Sequence, residues 1–106
     1  MSFRVEGLPA LRALHARIVA DPRVTEISPV THGNAVSIYF RDPEGNRIEL
    51  FFDTPWYVTQ PLREPIDLTL SDEVLMGKLE AQARKLPGFR PQAEWRAEMA
   101  RRMGVA

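Results

Sequence analysis

A chain of 106 residues with a formal net charge of zero has room for one domain and lacks the basic surface that nucleic-acid binding requires. It contains no cysteine, which excludes disulfides, a catalytic thiolate and thiolate-bound zinc. No apolar run approaches the ~20 residues of a membrane-spanning helix, and Arg4 and Glu6 interrupt the opening residues where a signal peptide would be apolar. We therefore expect a cytoplasmic protein that binds neither nucleic acid nor a membrane.

The first predicted elements are a strand, a helix and a second strand. Apolar and polar residues alternate over residues 1–6, which is typical of a strand with one buried face. Helical spacing of leucines and isoleucine predicts a helix over residues 8–20, in which Pro9 suits the first turn, and an Asp-Pro pair stops it. A strand fits residues 25–30, although Pro29 within it indicates an edge or a bulge.

A β-hairpin follows. The apolar residues that alternate along its two strands are Val36, Ile38, Phe40, Ile48, Leu50 and Phe52. Residues 42–46 between them read Asp-Pro-Glu-Gly-Asn, a cluster of turn formers. If Arg41 pairs with Arg47, the loop has five residues, a common hairpin length. Tyr39 then lies opposite Glu49, and both side chains point away from the apolar stripes.

The C-terminal part is predicted to be a connector and two helices. Residues 53–69 are proline-rich and extended, and Ser71 is a plausible N-cap with acidic residues in the first turn after it. The apolar stripe of the first of these helices consists of Val74, Leu75, Leu79, Ala83 and Leu86. The last helix is predicted to begin at Pro91 and to end at Gly104, with a stripe of Trp95, Met99 and Met103. The predicted class is α+β, with a βαβββ module over residues 1–58 and a helical extension over residues 59–106.

The hairpin carries a resemblance to a known family. Residues 32–50 read His-Gly-x-x-x-Ser-x-Tyr-Phe-x-Asp-Pro-x-Gly-Asn-x-x-Glu-Leu. This pattern resembles the last module of the vicinal oxygen chelate superfamily, which includes glyoxalases, bleomycin-resistance proteins and extradiol dioxygenases. Within it, the pattern is most similar to ring-cleaving dioxygenases of the catechol 2,3-dioxygenase type. The resemblance covers roughly residues 2–58, and the β-α-β-β-β order matches the repeating unit of the superfamily.

The resemblance implies a metal-dependent enzyme that opens the ring of a small aromatic diol. It implies that Glu49 is a ligand of Fe(II) or another divalent metal with positions left open for the diol and dioxygen. It also implies an acid–base role for His32, suited to an imidazole that titrates near neutrality, and a hydrogen bond from Tyr39 to the bound hydroxyl. The further residues placed in the substrate cavity are Ser37, Phe51 and Arg4.

Ordinary structural explanations compete with these roles. In these explanations, Glu49 is an exposed strand glutamate, His32 is a turn histidine and Tyr39 is a half-buried strand tyrosine. A salt bridge with Glu6 or Glu49 explains Arg4 more simply. His15 lies beside apolar helix residues and is predicted to be structural. The aromatic pair Trp56-Tyr57 is expected to pack the connector rather than cover the cavity rim.

The implied metal site is incomplete. The family places a histidine ligand three residues before the phenylalanine of an Ala-Phe-like pair on the first strand, and Ser2-Phe3 occupies that pair here. The histidine would therefore fall one residue before Met1, and the other histidine would come from an upstream module. We expect metal binding by this chain to be weak or absent, since one carboxylate holds Fe(II) poorly.

A module of this size leaves one sheet face uncovered, and folding alone is marginal at about 60 residues. Either a second copy covers that face, which predicts a homodimer built from sheet edges and the C-terminal helices, or those helices fold over it. Three functional hypotheses remain open: a metal-dependent dioxygenase, a metal-free binding, resistance or glyoxalase-like protein of the same fold, and an inactive or truncated product.

Overall fold

The computed structural model describes residues 1–104, in which a mixed β-sheet carries helices against one of its faces. The elements in chain order are β1 (Ser2–Arg4), α1 (Leu8–Ala20), β2 (Thr25–Thr31), β3 (Ala35–Arg41), β4 (Arg47–Asp53), β5 (Trp56–Tyr57), β6 (Glu64–Pro65), α2 (Asp72–Arg84), β7 (Arg90–Pro91) and α3 (Gln92–Arg102). The predicted α+β class is confirmed. The last two residues of the predicted helical extension lie outside the described residues.

The main sheet has five strands in the order β1-β4-β3-β2-β6. β1 pairs with β4 in parallel, and all other neighbours in this sheet are antiparallel. The first five elements follow one another as strand, helix and three strands, as the sequence predicts. β5 and β7 form a separate two-stranded ribbon. No helix within residues 1–104 combines the length and the apolar character that crossing a membrane would require.

The register of the β3–β4 hairpin is the predicted one. Arg41 pairs with Arg47, and Tyr39 pairs with Glu49. The carboxylate of Asp42 organises the turn, since its Oδ1 accepts hydrogen bonds from two backbone N–H groups of the loop, at 2.8 and 2.9 Å. These bonds and one from the Asn46 side chain hold the pKa of Asp42 below its ordinary value. A turn that closes on its own side chain fixes which face each strand residue occupies.

α1 begins and ends at the predicted residues. Leu8 and Leu11 are its buried residues, and they join the apolar stripes of the hairpin in one core. The core cluster consists of Leu8, Leu11, Val36, Ile38, Phe40, Phe52, Trp56, Val58, Leu75, Leu79 and Ala83. Arg12 ties α1 to α2, because its guanidinium pairs with Asp72 and donates to two backbone carbonyls of the segment before α2. α2 therefore shares the core of α1 instead of covering the opposite face.

β2 contains the bulge that its proline indicates. The register with β3 shifts between Thr25 and Ser28, and Glu26 in this interval has a φ of 54°. The edge alternative is wrong, because β6 pairs with the outer side of β2. Pro29 fits there since it has no N–H to donate, while its carbonyl accepts a hydrogen bond from the Ile66 backbone at 3.1 Å.

The C-terminal helices agree with the predictions in position but not in every packing detail. Ser71 is the N-cap of α2, and its hydroxyl accepts a hydrogen bond from the Val74 N–H at 3.3 Å. Val74 itself is 48% exposed, so its place in the apolar stripe is wrong. α3 has no buried residue, and Met103 after it is 73% exposed. From α3, the ring of Trp95 stacks on Tyr57 with ring centres 4.4 Å apart.

Candidate functional site

The sheet face opposite α1 carries the candidate site, and we call it the polar face. The register of β1, β4 and β3 places Ser2, Glu49 and Tyr39 side by side in one row across the sheet. The next row along the strands contains Arg4, Phe51 and Ser37. Because side chains alternate along a strand, both rows point to the same side. Five of the six predicted site residues thus lie on this face as strand residues, and the sixth, His32, reaches it from a loop.

Glu49 is held at this face by two serine hydroxyls. Ser2 donates to Oε1 at 2.8 Å, and the fully buried Ser37 donates to Oε2 at 2.7 Å. Burial pushes the pKa of Glu49 upward, but the hydrogen bonds from Ser37, Ser2 and Tyr39, with a smaller contribution from His32, outweigh it and lower the pKa below the ordinary value. Glu49 is therefore an ionised carboxylate at neutral pH whose two oxygens each already accept a hydrogen bond.

His32 contacts Tyr39 directly. Its Nε2 lies 2.8 Å from the Tyr39 hydroxyl, and its Nδ1 lies 2.8 Å from the backbone carbonyl of Leu62. A carbonyl oxygen can only accept, so the Nδ1 position carries the hydrogen. In neutral His32, Nε2 is then an acceptor and Tyr39 is the donor. Burial raises the pKa of Tyr39, and its hydrogen bond with Glu49 and the charge of that carboxylate raise it further.

These contacts make a chain of proton donors and acceptors from His32 through Tyr39 to Glu49. The phenol has one proton and two acceptors next to it, the imidazole Nε2 and the carboxylate. When His32 takes up a proton, its Nε2 becomes a donor to the phenol oxygen, and the phenol proton is left for Glu49. The arrangement can therefore pass a proton between the imidazole and the carboxylate or between either group and a ligand hydroxyl.

The loop that carries His32 is fastened on both sides. The N–H of Gly33 donates to Thr31 Oγ1 at 3.0 Å, and the Gly33 carbonyl accepts from Thr54 Oγ1 at 2.6 Å. The side chain of Gln60 donates to the His32 carbonyl at 2.7 Å. Since these bonds come from β2, from the end of β4 and from the connector, the imidazole is positioned by three separate parts of the fold.

Two arginines flank the polar face. Arg4 lies 5.1 Å from the ring centre of Phe51 and pairs with Asp53, so its partner is neither of the glutamates expected from the sequence. Arg63 lies 4.6 Å from the ring centre of Tyr39. Sequence reasoning missed Arg63 and the Leu62 carbonyl, because both belong to the proline-rich connector, whose path is set by long-range contacts rather than by a local pattern.

Two potential metal ligands of the polar face, Glu49 and His32, are hydrogen-bonded to other groups of the chain. Within residues 1–104, no three His, Asp or Glu side chains come together as potential metal ligands. Both ring nitrogens of His32 are engaged by other groups, and the oxygens of Glu49 accept from serines. His15 lies on α1, against the other side of the sheet. One carboxylate is a poor ligand set for Fe(II), which favours two histidines and a carboxylate.

Two cavities lie away from the polar face. One of about 440 Å³ is formed between α1 and the β1–β4 edge, with Phe3 and Leu14 among its lining residues. The other, of about 200 Å³, lies between α2 and β6. Neither is lined by His32, Tyr39 or Glu49, so the candidate site is a surface that some further group must enclose before it can exclude water.

Comparisons with family models, with curated proteins and with solved structures found no match to this chain. The assignment to the vicinal oxygen chelate superfamily therefore depends on the hairpin motif and stays a prediction.

Proposed function

We propose that this chain is a vicinal-oxygen-chelate module that binds a small aromatic diol on its polar face, as half of an extradiol dioxygenase-like site. The observation that supports this best is the meeting of His32, Tyr39 and Glu49. Strand alternation alone pairs Tyr39 with Glu49, but it says nothing about a loop histidine. His32 nevertheless lies at hydrogen-bond distance, 2.8 Å, from the phenol.

The geometry suits a ligand that carries hydroxyl groups. Neutral His32 is an acceptor at Nε2, and Glu49 is an ionised acceptor because its pKa is lowered. A ligand hydroxyl that donates to these acceptors in place of the Tyr39 hydroxyl can therefore be polarised, or deprotonated, by His32 or Glu49. The ring of Phe51 in the adjacent row offers an apolar surface for the flat part of the ligand.

Ring cleavage needs more ligands than one chain supplies at this face. If a second module brings histidines to Glu49, the metal would hold the diol and dioxygen together. Without them, this chain binds the diol and does not cleave it. A homodimer is the simplest arrangement that covers the face, because α2 packs on the other side of the sheet and α3 reaches only the rim, where Arg96 lies 3.7 Å from Asp53.

A metal-free binding protein is the second candidate, and one observation favours it. Both oxygens of Glu49 accept hydrogen bonds from serine hydroxyls. A carboxylate in that state can orient the hydroxyl network without any metal.

Calorimetric titration with catechol, in the presence and absence of Fe(II) under anaerobic conditions, tests the proposal. We expect catechol binding without metal, weakened about 2–10-fold in Tyr39→Phe because one hydrogen bond is lost. Tyr57→Phe is the matched control, since Tyr57 stacks on Trp95 and does not belong to the His32–Tyr39–Glu49 chain, so the loss of its hydroxyl should leave binding unchanged. Absence of catechol binding at millimolar concentration would overturn the proposal.

Metal analysis tests the proposal that this chain supplies only half of the metal site. We expect little iron to remain with the purified chain and no ring-cleavage product when dioxygen is admitted. Stoichiometric iron together with turnover would show that this chain, alone or as a homodimer, completes the metal site, contrary to the half-site proposed above.

A further inference from the structure

The guanidinium of Arg63 lies over the polar face and has no carboxylate partner among the residues that the structure describes. The guanidinium of Arg63 is 4.6 Å from the ring centre of Tyr39. None of the ion pairs formed among residues 1–104 includes Arg63. Arg4 beside this face pairs with Asp53, whose carboxylate also lies 3.7 Å from Arg96. Arg63 therefore presents a guanidinium that has no ion-pair partner among residues 1–104, and this group lies beside the phenol of the proton chain.

The backbone on either side of Arg63 is anchored. Before it, the Leu62 carbonyl accepts from His32, and Gln60 donates to the His32 carbonyl. After it, β6 pairs with β2, with Glu64 opposite Thr31. Because three neighbours within the same short segment are attached to the sheet or to the histidine, the backbone of Arg63 is held beside the polar face.

The chemistry of a guanidinium in this position selects an anion. Its planar donors match the two oxygens of a carboxylate, and it also stacks on aromatic rings. Glu49 does not supply that carboxylate, because none of the ion pairs among residues 1–104 joins it to Arg63. A ligand with hydroxyls at Tyr39 and an acidic group on the same ring would satisfy both parts of the face at once.

We propose that Arg63 is a specificity-determining residue and that the ligand is an aromatic diol that carries a carboxylate. This inference depends on the proposed function, because it assumes that the diol lies on the polar face. It adds which diols are preferred, and it assigns that preference to a residue outside the hairpin motif.

The test compares catechol with 3,4-dihydroxybenzoate by calorimetric titration. We expect the wild-type chain to bind the carboxylate compound about tenfold more tightly, since a charge-assisted hydrogen bond is stronger than a neutral one. Arg63→Gln should bind both compounds alike. Arg63→Lys should keep part of the preference because the charge remains.

Arg84→Gln is the matched control. Arg84 also lies over an aromatic ring, that of Phe89, at 5.1 Å, but it pairs with Glu80 and belongs to α2. It should leave the preference unchanged. The inference would be overturned if the wild type bound both compounds equally, or if the preference survived in Arg63→Gln. In either case, catechol binding would still support the proposed function. Failure of both compounds to bind would overturn the two together.

Discussion

Replacing Gly33 with alanine tests whether the loop that carries His32 is fixed by packing as well as by hydrogen bonds. Gly33 has a φ of 77°, which side chains with a Cβ rarely adopt. A Cβ at this position would lie 2.2 Å from Cγ2 of Val58 and 3.1 Å from Cδ2 of Leu62. Val58 is fully buried, so it has little room to move aside. The substitution therefore combines backbone strain with overpacking of the core.

Gly45 separates the two effects. Its φ is 84°, close to that of Gly33, but no atom lies within 4 Å of a Cβ placed there. Strain alone should cost Gly45→Ala about 1–2 kcal/mol of the free energy of unfolding. Overpacking adds about 1–3 kcal/mol in Gly33→Ala, for a total of about 2–5 kcal/mol. That is a large part of the about 5–15 kcal/mol that stabilises an ordinary domain.

Urea denaturation followed by tryptophan fluorescence measures both variants against the wild type. We expect Gly33→Ala to lose clearly more stability than Gly45→Ala, with the midpoint shifted and the slope unchanged. Equal losses in the two variants would refute the packing argument, because strain would then be the whole effect and Val58 would not constrain the loop.

Two further predictions concern Glu49 and assembly. Because the folded-state pKa of Glu49 lies below its ordinary value of 4.5, its contribution to stability is full above pH 4.5 and is lost as the pH falls through the lowered value. Glu49→Gln should be less stable than the wild type at neutral pH, and that gap should narrow in acid; urea titrations showing a constant gap down to about pH 3 would contradict this. Light scattering at micromolar concentration should give the mass of two chains, since the polar face is uncovered in one; a monomer would count against the homodimer.

The elements that the sequence predicts well are those whose signals are local. The bounds of α1 follow from an apolar stripe between Gly7 and an Asp-Pro pair. The hairpin register follows from two alternating stripes and a turn that admits one loop length. The pairing of Tyr39 with Glu49 is a direct consequence of that register, so this part of the candidate site could be predicted from residues alone.

The parts that the sequence does not predict depend on contacts between distant segments. β5 and β7 are two-residue strands that pair Trp56 with Pro91, and neither has a period of its own. Arg63 reaches Tyr39 only because β6 pairs with β2 at the far end of the connector. The apolar spacing of α3 resembles a buried stripe, yet the helix has no buried residue, because spacing does not reveal whether a partner surface exists.

The balance of donors and acceptors explains why a hydroxyl-bearing ligand suits this face better than a carbonyl compound. His32 Nε2 and the Glu49 carboxylate are acceptors, and Tyr39 has one proton to share between them. An arriving hydroxyl brings the donor that this set lacks, while a carbonyl would bring another acceptor and leave the deficit in place. Arg63 is the opposite case, a group with donors only. A face with an acceptor cluster and a separate donor fork is complementary to a molecule that combines hydroxyl groups with an acid.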